Sequence, residues 1–190
     1  GALVSIPAAA GAAKAAVGNV IAGMNGVRIG ILGINESVVQ PLLPVKLDNN
    51  GTFEDDTDQL LESLYIDYSA SGGTPLRGGL KMLGEYYQNN DGALSGVSGE
   101  APFYSQEDGG ECQQSFSIVM TDGYYSSNDN PSVGNADGDN DSEYDGGIYA
   151  DTYSDTLADV AMHFYESDLN TVLGDYVPTN EIDTASHQHM

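Results

Sequence analysis

Two short apolar runs stand out from a chain otherwise dense in glycine and acids: Val27 to Ile34 (VRIGILGI) and Phe116 to Met120 (FSIVM). Runs of this length, bounded by turn-forming residues, suit strands buried on both faces. A third run, Leu42 to Leu47, contains Pro44 and follows Pro41, so it predicts an edge strand antiparallel to the first. Four segments carry a helical pattern. Ile6 to Met24 is alanine-rich and ends before Gly26. Asp55 to Ile66 turns Leu60, Leu61 and Leu64 inward. Leu76, Leu80, Leu83 and Tyr87 recur at three and four, with Pro75 in the first turn and Thr74 as the cap. Tyr149 to Leu169 places Leu157, Val160, Ala161, Phe164 and Tyr165 on one face. Apolar strands separated by helical patterns predict an α/β domain with a mostly parallel sheet. Asp48 to Thr52 reads as a turn, and two long loops, Asn89 to Glu111 and Ser126 to Ile148, complete the chain.

Candidate chemistry sits in those loops. The run Phe116 to Met120 stops at Thr121, Asp122 and Gly123. Open α/β sheets bind ligands at the carboxyl ends of their strands, so Asp122 is placed to hold a cation. By itself, strand-Asp-Gly is also common turn chemistry. The glycine-rich loop before the third helix adds the hydroxyl of Thr74, a second ligand type that a hard cation accepts. In the second long loop Asp137, Asp139, Asp141, Glu143 and Asp145 alternate, as a calcium loop requires. The match to an EF-hand is imperfect, because Ser142 stands where that loop has its glycine and Ile148 where it has its last glutamate. A solvated acidic loop is the competing reading. A thinner acidic cluster spans Asp48 to Asp56.

Composition narrows the partners. With 29 acidic and 5 basic residues in 190, the formal charge is 5 − 29 = −24. Phosphate backbones and anionic lipid surfaces both need a basic face, so nucleic acid and membrane surfaces are excluded. Self-repulsion on this scale favours a saline setting or bound cations. No stretch approaches the roughly 18 apolar residues of a membrane span. The apolar start, GALVSIPAAAGAAKAAV, lacks a basic leader region and fits a packed alanine-rich helix. Cys112 is the single cysteine, so no disulfide forms within the chain. The three histidines, His163, His187 and His189, do not make a zinc set. No nucleophile elbow or phosphate loop is present and no general base is identifiable, so the chain reads as a non-enzyme. Twelve tyrosines in a tryptophan-free chain fit either interface anchors or core residues.

In order, the segments GGTPLRGGL, CQQSFSIVMTDGYY, SVGNADGD, YSDTLADVAMHFYESDL and HQHM give the chain a close resemblance to PilY-type type IV pilus tip proteins. The matching part is their von Willebrand factor A-like domain, and the likeness runs from about Ala12 to Met190. It implies a three-layer fold and a metal-ion-dependent adhesion site in which Thr74 and Asp122 match two of the ligands. The rest of that site is an Asp-x-Ser-x-Ser loop after the first strand, which the chain does not contain. The expectation is therefore a partial domain over residues 1–190 that lacks its first strand and is truncated at its carboxyl end. Magnesium or manganese would then bind only if the missing loop were supplied, while calcium is expected in the acidic loop. The implied setting is extracellular, at the pilus tip or the bacterial outer surface. Expected partners are the rest of the parent polypeptide or a strand-donating protein, pilin or minor pilins, and a host or surface ligand. The alternative is a structural scaffold stabilised by calcium, with no ligand-binding metal site.

Overall fold

The computed structural model describes residues 2–6, 10–69, 72–121, 123–126 and 129–190, with the backbone alone at 2–6 and 10. Strand β1 (Ala2–Ile6) leads into helix α1 (Ala10–Gly23), then strands β2 (Val27–Gly33) and β3 (Val39–Val45). A small hairpin, β4 (Leu47–Asn49) and β5 (Thr52–Glu54), precedes helices α2 (Thr57–Glu62) and α3 (Leu76–Asn89). Strand β6 (Phe116–Val119) and helix α4 (Leu157–Glu166) follow. The main sheet has the order β3-β2-β1-β6. Strand β1 pairs in parallel with both β2 and β6, and β3 pairs antiparallel with β2 at the edge.

The first strand, expected to be missing, is present. Val4 lies opposite Ile31 on one side and Ile118 on the other. Strand β2 is buried as expected, whereas β6, also expected to be buried, leaves Phe116 and Ile118 exposed on one face; a five-residue run of β-compatible side chains supplies the ladder that both share. Pro7, which has no N–H, follows the last paired residue. The first helix accordingly starts at Ala10 and not at Ile6. No gap separates β2 from β6, so the case for a strand donated into that gap, and for instability without it, falls away.

The period of two along β2 divides the core. Ile29 and Ile31 pack with Val17 and Ile21 of α1 and with Leu60 and Leu64. Leu32 packs with Leu42, with Leu80, Leu83 and Tyr87 of α3 and with Val160 and Phe164 of α4. Helices therefore cover both faces of the sheet. Helices α3 and α4 approach closely because position 84 is glycine. A Cβ there would lie 2.3 Å from the Phe164 ring. Tyr86 and Tyr87 are buried in this layer, whereas Tyr124 is 98% exposed, so the tyrosines serve both as core and as surface.

Two devices fasten the loops. Arg28, 4% exposed, donates to the carbonyls of Ala101 (2.8 Å) and Pro102 and stacks 3.9 Å from the Tyr104 ring. This pins the loop after α3 to β2. Asp129 accepts the Gly78 N–H with both oxygens at 2.9 Å, so the chain after β6 closes the first turn of α3. Thr74, expected as that cap, makes no capping hydrogen bond; Pro75 stands at the cap position. Helix α4 opens with a capping box: Thr156 Oγ accepts the Asp159 N–H and Asp159 accepts the Thr156 N–H. Ala161, expected on its inner face, is exposed, and Asp159 and Met162 are buried instead.

Candidate functional site

The parallel strands β1, β2 and β6 end at the same edge of the sheet, and three loops gather there. The Thr74 N–H donates to Ser126 Oγ at 3.0 Å, and the Ser126 N–H donates to the Thr74 carbonyl at 2.8 Å. A Cβ at Gly72 would lie 2.8 Å from Asn35 Nδ2, which places the β2 turn against the same loop. Thr74 is thus held beside the chain that follows β6. Asp122 lies outside the described residues. Between β1 and α1 the sequence is Pro7-Ala8-Ala9, which offers no side-chain oxygen. With β1 in the central position, the loop expected to bring Asp-x-Ser-x-Ser is this apolar one.

The second place is the acidic loop, which runs beside α4. Asp139, Asp141 and Asp145 each offer an oxygen within 4.8 Å of the others. Asp139 Oδ1 accepts the Asp141 N–H at 3.2 Å, and Asp145 Oδ2 accepts the Ser142 N–H at 3.2 Å. Asp145 Oδ1 is shielded and makes no hydrogen bond. Glu166, the last residue of α4, faces the same cluster. Its carboxyl is pushed up, first by burial and then by Asp141, Asp145 and Asp139, against a hydrogen bond from Ser142. Its Oε2 is likewise shielded and unpartnered. Desolvation and the neighbouring Asp139 raise Asp141 as well. Hard oxygens with unmet lone pairs and crowded negative charge are the donor set that calcium takes. Nothing in the loop's own sequence points to Glu166, because it is distant along the chain and belongs to a helix.

Two of the five acids predicted for the loop stand apart. Glu143 lines a surface depression with Tyr144, Tyr149, Tyr165 and Asp183. Asp137 is fully buried at the other end of α4, where its N–H donates to Asp159 Oδ1 at 3.2 Å. Asp159 and Glu166 are seven residues apart on one helix, about 10 Å of axial rise, which separates Asp137 from the cluster. The acidic stretch Asp48 to Asp56 forms the β4-β5 hairpin, and among the described residues it holds no comparable group.

The remaining reactive groups are already partnered or isolated. His189 Nε2 lies 3.2 Å from Asp183 Oδ2, and His187 Nε2 lies 2.9 Å from the Tyr165 carbonyl. The two imidazoles stack with Tyr165 and Tyr144 in an aromatic cluster. Cys112 is exposed and free. Among the described residues no helix is long and apolar enough to cross a membrane.

Compared with known proteins, the chain is similar to "Type IV pilus biogenesis factor PilY1" of Pseudomonas aeruginosa. With the strain PAK protein it is 36% identical over 124 residues, covering 58% of this chain and 10% of that protein. With the strain UCBPP-PA14 protein it is 35% identical over 108 residues, covering 53% of this chain and 8% of that protein. The chain thus spans about a tenth of the length of the curated relatives it matches. No family model matches the chain, and no solved structure does. Over these residues the chain is similar in sequence to that pilus biogenesis factor.

Proposed function

We propose that the chain is a binding and assembly module of a type IV pilus-associated surface protein, built on a von Willebrand factor A-like fold. The observation that carries this reading is the 36% identity over 124 residues to a type IV pilus biogenesis factor. A sheet with a parallel centre and helices on both faces, whose loops meet at its carboxyl edge, is an architecture that presents ligands there. The location is the cell surface or pilus tip. The partners are the rest of the parent polypeptide, pilin or minor pilins, and a host or surface ligand, and the role is binding without catalysis. Calcium is held by Asp139, Asp141 and Asp145, with Glu166 as a further oxygen donor. Calcium added to metal-depleted chain should raise its melting temperature, and Asp139→Ala with Asp141→Ala should diminish that rise. A rise left undiminished by the double substitution refutes the calcium loop.

A second reading, a scaffold without an adhesion metal, is favoured by the apolar Pro7-Ala8-Ala9 connection and by the two hydrogen bonds that hold Thr74 to Ser126. Thr74→Ala in the parent polypeptide separates the two. A functioning adhesion metal predicts lost magnesium- or manganese-dependent attachment with unchanged melting, and unchanged attachment supports the scaffold.

A further inference from the structure

The first turn of α4 holds an arrangement that the calcium loop does not explain. Asp137 and Asp159 are both 0% exposed. Asp159 is compensated: its Oδ2 accepts the Thr156 N–H at 2.7 Å and its Oδ1 accepts the Asp137 N–H at 3.2 Å, at the positive end of a helix. Asp137 is not. Its Oδ1 accepts one long hydrogen bond, 3.4 Å from the Asp151 N–H, and its Oδ2 is shielded and makes none. Among the described residues no Lys, Arg or His forms an ion pair with either carboxyl. The Asp151 carbonyl is turned toward the same strand of chain, 2.9 Å from where a Cβ of Gly138 would stand, so the absence of a side chain at 138 lets it approach.

Two buried carboxyls in contact cannot both stay ionised without a counter-charge. A shared proton would cancel one charge and leave the neighbouring Asp151 opposed. A divalent cation would cancel two and would fill the free valence of Asp137 Oδ2. The surrounding donors are all oxygens, which selects a hard ion of the calcium class. We propose that Asp137, Asp159 and the Asp151 carbonyl hold a buried divalent cation at the first turn of α4, distinct from the Asp139–Asp141–Asp145 cluster. The ion would tie the acidic loop to the helix start as the capping box ties Thr156 to Asp159.

Terbium is a calcium-class ion whose emission the chain's tyrosines can sensitise, and its lifetimes in H₂O and D₂O count the waters bound to it. Titrated into metal-depleted full chain, terbium should show a dry class, with at most about one bound water, beside the hydrated class expected of an exposed loop. Asp139→Ala with Asp141→Ala should remove the hydrated class and spare the dry one, and Asp137→Asn should do the reverse. A failure of the loop reading thus looks different from a failure of this one. The proposal is overturned if all bound terbium in the unsubstituted chain carries several waters, a result that needs no variant to fold. It is equally overturned if the dry class survives Asp137→Asn while melting without metal is unchanged or raised. An asparagine amide mimics a protonated carboxyl, so that outcome would mean a shared proton.

Discussion

Replacing Gly84 by alanine sets two known effects against each other. Alanine in a helix interior is more favourable than glycine by about 1 kcal/mol. Against that, the new methyl carbon would lie 2.3–2.5 Å from three ring carbons of Phe164. Carbon atoms rest about 3.5–4.0 Å apart, so the ring or the helix must give way by about 1.2–1.7 Å to relieve the shortest contact. Phe164 is 1% exposed and sits among Leu83, Tyr87, Val160 and Leu169, which leaves the ring nowhere to swing. Overpacking of this kind costs typically about 1–3 kcal/mol, and the short contact places this case near the upper end. The net expectation is a loss of about 2 kcal/mol, or about 4–8 °C in melting temperature for a chain of this size. Urea and thermal denaturation followed by circular dichroism read it directly. Combining Gly84→Ala with Phe164→Leu should cost less than the sum of the two, by about 1 kcal/mol, because the smaller side chain vacates the space the methyl needs. A higher midpoint for Gly84→Ala, or strict additivity of the pair, would refute the claim that glycine is required for α3 to meet α4.

Two further substitutions test the loop fastenings. Arg28→Met fills a similar volume but leaves the Ala101 and Pro102 carbonyls without their buried donor, and should cost about 2–4 kcal/mol in urea denaturation with faster amide exchange at 101–104; a neutral result means that loop is held by other contacts. Thr156→Ala removes half of the capping box and should cost about 1 kcal/mol, recovered by Thr156→Ser; a loss that serine does not recover points to the methyl and not the hydroxyl.

What the sequence revealed, and what it hid, follows from how far each signal extends along the chain. Strands β2 and β6 were legible because short apolar-rich runs bounded by turn residues are local signals, and β3 because prolines in a strand mark an edge. The α3 period was clear from Leu76, Leu80 and Leu83. The start of the chain misled, because ALVSI and the alanines after Pro7 merge into one apolar stretch, and only the ladder with β2 and β6 divides strand from helix. In the acidic loop, alternation suggested five equivalent ligands. The structure gathers Asp139, Asp141 and Asp145, buries Asp137 against Asp159 and leaves Glu143 elsewhere. Period-two reasoning assumes an extended segment, and this loop instead turns repeatedly, with Asn140 and Gly146 at positive φ. Glu166 and Asp159 come from a helix, so no local pattern joined them to the loop. Arg28 was hidden in a similar way: a charge inside an apolar strand means something only when the carbonyls it meets, more than 70 positions later, are in place.

The fate of the five basic residues shapes how the molecule meets others. Arg28 donates to Ala101 and Pro102, Arg77 to Asp155, Lys14 to Tyr65 and Tyr68, and Lys46 to Ala22, in every case to backbone carbonyls. Lys81 lies 3.5 Å from Glu85. The scarce cations are thus engaged within the fold, and the field beyond the surface is that of a nearly uninterrupted anion. An approaching cationic protein is drawn in from a Debye length away, about 8 Å at physiological salt, and an anionic one is turned back before any contact forms. Encounter with a basic partner is therefore fast in dilute buffer and slows steeply as salt is added, and the dependence of the association rate on ionic strength is where this shows. Selection among partners begins at long range, before any side chain touches.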